Sequence, residues 1–189
     1  MKIRYNAPVT LTFALASALV LIIDQALLPN LIEGLFAVPG KNGFSFSYLP
    51  NYVLLLTHII GHSSWEHLMS NFSFILLLGP ILEEKYSSGS VFIMVLITAL
   101  VTGLLNVIFL NTGLMGASGI VFMMILLMSF TNIRKGEIPL TLILIILLFL
   151  SKEIVASFQA DSISQLAHIV GGICGGLFGF LGSGNRNRG

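Results

Sequence analysis

The chain has 189 residues, of which 56% are hydrophobic and only 9% charged, against roughly 25% charged in a soluble domain. That composition excludes an ordinary soluble fold and points to a membrane protein with a mean hydropathy of +0.97. A net charge of +1 gives no argument for nucleic acid, and the single cysteine, Cys174, excludes a disulfide within one chain.

A membrane span takes about 20 apolar residues, and six segments approach that length. The first, about 7–28, carries Asp24 near its far end, read as an interfacial charge. Lys2 and Arg4 precede it and "ALASA" offers small residues, as in a secretory signal. The apolar run exceeds the roughly 7–15 residues of a signal core, so an uncleaved span is expected. A first outer loop, about 29–61, follows. The second span, about 64–82, opens with "SSWE", which predicts a capping box with Ser63 or Ser64 as cap and Glu66 answering. His67 and Asn71, four apart, share one face of that helix. The third span is about 91–110 and holds Asn106, to which no role falls. The fourth, about 115–132, begins in "GLMGASGIVF", where Gly116, Ala117 and Gly119 surround Ser118. The fifth, about 138–158, is interrupted by Lys152 and Glu153. The sixth, about 163–181, follows Asp161, read as a helix cap. It places His168 about seven residues in, or roughly 10 Å deep. The expected fold is therefore an all-α, polytopic bundle forming a single domain over 1–189.

Positive charge sets the orientation. With the N-terminus inside, the cytoplasmic pieces hold Lys2, Arg4, Lys85, Arg134, Lys135, Arg186 and Arg188, and the outer pieces only Lys41 and Lys152. Both termini are expected in the cytoplasm of a cell membrane. On that topology His67, Asn71, Ser118 and His168 all fall in the outer leaflet, on the first turns of three inward-running helices.

Strongly polar residues within a bilayer are costly and mark function. A serine within reach of a histidine is a minimal activated nucleophile. A helix N-terminus and the His67 and Asn71 side chains offer donors for an oxyanion. No carboxylate is placed to orient His168, so the expectation is a dyad. Gly171, Gly175 and Gly179, four apart, with Gly172 and Gly176 as a second row, allow helices to approach closely in lipid. Cys174 reads as packing.

Three motifs carry a resemblance. "HSSWEHLMSN" at 62–71, "GASG" at 116–119 and "AHIVGG" at 167–172 resemble the signatures of rhomboid intramembrane serine proteases, in order and on the matching spans. "EEKYSSG" at 83–89 is also rhomboid-like. The resemblance implies Ser118 as nucleophile and His168 as general base. It makes His67, Asn71 and the Ser118 N–H the oxyanion hole, with His62, Gly116, Gly119 and Phe122 supporting. It implies transmembrane protein substrates, cut near the outer face of the bilayer after a small residue, and span five moving from span two as gate. Phe122 stands where many relatives carry a tyrosine, Lys85 where arginine is common, and the first outer loop lacks a Trp-Arg pair.

Other functions are weaker. His58, His62, His67 and His168 all map outward, and His58 and His62 have the spacing of a helical metal pair. HExxH is absent, however, and a metal leaves "GASG" unexplained, so neither metal nor cofactor is expected. A non-catalytic rhomboid-like binder of membrane helices is the runner-up. A transporter lacks an inverted repeat or charged pathway.

Overall fold

Pro8 begins the first helix, α1 (Pro8–Ala26), at a position where its missing N–H leaves nothing unpaired. The next N–H groups find a partner far along the chain. A computed structural model describes residues 3–130 and 162–185, and between them 140, 141, 143–145, 147, 148 and 151. In it, Glu83 accepts from the Val9 N–H at 3.2 Å, the Thr10 N–H at 2.7 Å and the Thr10 hydroxyl at 2.6 Å. A buried carboxylate thus caps α1 from another helix, where the positive end of the helix dipole favours it.

The first loop contains structure that sequence periodicity is too short to reveal. Two helices lie there, α2 (Leu31–Leu35) and α3 (Pro50–Thr57). Asp24 accepts from the Ile32 N–H at 2.9 Å, so this carboxylate caps α2. Thr57 donates to the Leu35 carbonyl at 2.7 Å. Val38 pairs with Leu114 as an isolated antiparallel bridge, which fastens the loop to the segment ahead of the fourth predicted span.

α4 (Trp65–Tyr86) and α5 (Ser88–Phe109) meet at Ser87, which takes a left-handed φ of 72°. The second span was expected to end near 82. The helix continues because Glu83 is bound into α1 instead of facing water. At its other end Trp65 donates its indole N–H to Gln25 at 2.9 Å. α4 is therefore fastened to α1 near both ends.

α6 (Ser118–Phe130) starts later than the expected 115. Gly116 adopts φ +110° and donates its N–H to the His58 carbonyl at 2.9 Å, and neither is compatible with a helix there. α7 (Ser162–Asn185) packs against α6 through glycines. A Cβ on Gly171 would meet the Gly119 backbone, one on Gly175 the Met123 carbonyl, and one on Gly179 the Phe130 side chain.

Among the described residues there is no strand, and the fold is all-α. Ile75, Leu82, Ile120, Met123 and Leu127 fill the interior, while Leu15, Leu19, Phe92, Leu104, Ile173 and Leu177 face outward. Apolar residues on the outside as well as within suit a lipid surround. Pro8–Ala26 and Ser88–Phe109 are each long and apolar enough to cross a membrane; Ser118–Phe130 and Gln165–Leu181 are shorter apolar helices. The described residues between 140 and 151 are helical. Lys152, Glu153 and Asp161, with the rest of the fifth predicted span, lie outside the described residues.

Candidate active site

The N-terminus of α4 builds one wall. Ser64 is the cap: its hydroxyl accepts the His67 N–H at 3.1 Å. The expected answer from Glu66 does not occur, because with Ser64 as cap the third helical position is His67, and Glu66 turns outward. The His67 ring takes part as well, with Nδ1 lying 3.2 Å from the Ser63 hydroxyl. One turn on, Asn71 is buried, and its Nδ2 has no hydrogen-bond partner.

The loop ahead of α6 builds the floor. His62 is fully buried, with Nδ1 at 3.0 Å from the Ile60 carbonyl and Nε2 at 3.4 Å from the Ala117 N–H. A carbonyl only accepts and an amide N–H only donates, so one tautomer satisfies both: Nδ1 bears the proton. Burial lowers the His62 pKa to about 4, which keeps the ring neutral as this arrangement requires. His58, four residues earlier, turns to other partners. Its Nε2 lies 3.4 Å from the Thr102 hydroxyl, and its carbonyl holds Gly116. The two rings are thus not paired on one ligand; the His62 ring fastens Ala117 and the His58 backbone carbonyl fastens Gly116, both in the loop that delivers Ser118. The spacing of these histidines pointed to a shared face, and no local signal assigned them to the loop.

Gly116 is where the walls meet. A Cβ there would lie 2.6 Å from His67 Cε1 and 2.7 Å from His67 Nε2. Only a residue without a side chain lets the ring sit over the loop, and its positive φ favours glycine in any case. Ser118 follows as the first residue of α6, half-buried, with the Ala117 carbonyl accepting the Val121 N–H at 3.0 Å. The N–H groups of this first turn have no acceptor within the helix.

α7 supplies the last side chain. The Ala167 carbonyl lies 3.2 Å from where a Gly119 Cβ would be, and Gly171 abuts Gly119 one turn later. Ser118 and His168 each neighbour that crossing, so backbone approach brings them to a common space. The Phe122 ring stacks obliquely on His168, with centroids 4.3 Å apart and planes at 39°.

That space is a cavity of about 850 Å³. His67, Asn71, Ser118, Phe122 and His168 line it, together with Phe74, Leu77 and Leu78 of α4, Val121, Ile125 and Met128 of α6, and Thr141, Ile145 and Leu148. It is a polar group of side chains opening into an apolar groove. No curated protein matches the chain. The sequence profile described as Rhomboid domain, in contrast, matches residues 50–185, which include every residue lining the cavity. On that match over most of its length, the chain belongs to the rhomboid family.

Proposed function

We propose that this protein is a serine endopeptidase of the membrane interior, cleaving transmembrane helices of other proteins near the outer face of the bilayer with a Ser118–His168 dyad. Family membership supports the class of activity. The observation that carries the mechanism is the single cavity lined by Ser118, His168, His67 and Asn71, with a buried Asn71 Nδ2 that has no partner. An unsatisfied buried donor is a standing energetic penalty, and an oxyanion formed beside it would relieve that penalty.

In the proposed reaction Ser118 Oγ attacks the scissile carbonyl carbon while the His168 imidazole takes its proton. Asn71 Nδ2–H, a His67 ring N–H and the Ser118 backbone N–H donate to the tetrahedral oxyanion. The C–N bond then breaks as His168 returns the proton to the leaving amine. Water hydrolyses the acyl-enzyme by the same route, giving a carboxylate and free Ser118. A helical peptide bond is shielded on all sides, so the substrate must unwind locally before attack.

The apolar groove beneath the polar end suits the remaining helix of the substrate. Six spans in one domain, with both termini cytoplasmic, follow from the apolar segments and the seven-to-two distribution of Lys and Arg. α4 is fastened to α1 near both ends, so in this reading it is the fixed jaw, and span five opposite it is the element that opens.

The test is cleavage of a fluorogenic transmembrane substrate by purified protein in detergent. Ser118→Ala and His168→Ala are expected to abolish turnover, and EDTA to leave it unchanged. Full activity in Ser118→Ala overturns the mechanism. Capture of the substrate helix with no cleavage by the wild type, under conditions where a related protease cuts it, replaces the enzyme with the non-catalytic binder.

A further inference from the structure

Ser63 plays no part in capping α4. Ser64 does that, and Ser63 is exposed. Yet its hydroxyl lies 3.2 Å from His67 Nδ1. The other edge of the same ring, Cε1 and Nε2, lies over Gly116 in the cavity that Asn71 Nδ2 also enters. His67 therefore has one nitrogen on the solvent side held by a serine and one on the cavity side.

A neutral imidazole has a single N–H, and which nitrogen carries it depends on the partner of the other. The neighbouring His62 does not compete for Nδ1. The His62 ring packs edge-on against His67 with centroids 4.9 Å apart. Both nitrogens of His62 are already engaged, by Ile60 and Ala117. If Nδ1 carried the proton, Nε2 would present a lone pair to the same point that Asn71 Nδ2 approaches, where an oxyanion would be repelled. If the Ser63 hydroxyl donates to Nδ1, the proton sits on Nε2 and both groups are donors.

We propose that Ser63 is a positioning residue: it donates to His67 Nδ1 and so holds His67 as the Nε2–H tautomer that stabilises the oxyanion. The inference rests on the proposed peptidase reading. Ser63 touches no reacting atom and acts only through His67, so its loss affects the transition state more than substrate binding.

Removing an oxyanion donor outright reduces turnover by roughly 10²- to 10³-fold. Ser63→Ala leaves the donor but frees its tautomer, so the expected fall in kcat is about ten-fold, with KM and thermal midpoint unchanged. Ser63→Thr, which keeps the hydroxyl, restores kcat. The ring 15N shifts of His67, in protein labelled at its four histidines, are expected to show protonated Nε2 in wild type and exchange between tautomers in Ser63→Ala. An unchanged kcat in Ser63→Ala overturns the proposal, as does an equal loss in Ser63→Thr or an unchanged His67 spectrum. Ser118→Ala run beside them separates the two ideas. Its full activity sinks the peptidase reading, whereas its inactivity together with an indifferent Ser63→Ala sinks only the role of Ser63.

Discussion

At Gly116 the backbone bends through φ +110° with the His67 ring against its Cα. Any side chain there meets both a strained conformation and an occupied space. Gly116→Ala is therefore expected to displace His67 and lower kcat by more than ten-fold, roughly the cost of misplacing an oxyanion donor. Steady-state cleavage of the transmembrane substrate measures it. Asn71 gives a cleaner separation of folding from chemistry. Its Nδ2 makes no hydrogen bond, so Asn71→Ala is expected to reduce kcat by roughly 10²- to 10³-fold while the unfolding midpoint hardly moves. An Asn71→Ala protein with wild-type turnover would remove this side chain from the site.

The buried histidines of the loop add a pH dependence of stability. His62 is held at a pKa of about 4 by burial, against 6.5 for the free side chain, and His58 likewise. Between those values the unfolded chain binds protons that the folded one refuses, so stability falls as pH falls through that window. Above pH 6.5 these groups contribute their full share, and below about 4 no further loss comes from them. Thermal unfolding in detergent between pH 7.5 and 4 is expected to show that decline, and His62→Gln, which keeps polar contacts without a titration, to lessen it, leaving the share due to His58. The family motif placed His62 near the site. Its tautomer, and the part His58 plays beside it, depended on Ile60, Ala117 and Thr102, which the motif does not specify.

At the scale of elements, two contacts between helices set the site. α6 and α7 touch through Gly119, Gly171 and Gly175, with backbone against backbone. Gly175→Leu must force the helices apart at Met123, and overpacking of this kind costs about 1–3 kcal/mol. The thermal midpoint should drop, and cleavage should drop further than stability because Ser118 and His168 sit on opposite sides of that seam. α1 and α4 are joined by Glu83, with three donors on one carboxylate. Hydrogen bonds to a charged group contribute roughly 1.5–3 kcal/mol each. Glu83→Ala leaves two backbone N–H groups at the buried end of α1 unpaired, so a loss of at least about 3 kcal/mol is expected by denaturant unfolding. The glycine row was legible from its four-residue spacing alone. The Glu83 clamp was not: "EEKYSSG" reads locally as a charged cytoplasmic turn, and only the presence of α1 makes one of its two glutamates a buried cap.

At the scale of the whole molecule, α4 residues Phe74, Leu77 and Leu78 and residues Thr141, Ile145 and Leu148 line one groove. Linking Phe74→Cys to Leu148→Cys with a short bismaleimide tests whether span five must move. Cleavage of a transmembrane substrate is expected to stop, while a small soluble ester that needs no lateral entry is still hydrolysed. Continued cleavage of the membrane substrate by the linked protein would count against span five as the gate.

The sequence by itself determined the membrane class, the apolar segments and the order of the three motifs, because hydropathy and short spacings are local properties carried by each segment. It also identified Ser118, His168, His67 and Asn71 as residues to watch, since polar groups are conspicuous against an apolar background. Tertiary structure decided the rest. It decided that Ser64 and His67, rather than Glu66, complete the α4 cap, because the helix start depends on the loop that precedes it. It placed two short helices in the first loop, where Asp24 accepts the Ile32 N–H, Thr57 donates to the Leu35 carbonyl and Val38 pairs with Leu114. It moved the start of α6 to Ser118, because His58, His62 and His67 together hold residues 116–117 out of the helix. The bridge from Val38 to Leu114 and the bonds from Gly116 and Ala117 to His58 and His62 join residues more than fifty positions apart, and no local pattern encodes a contact of that kind.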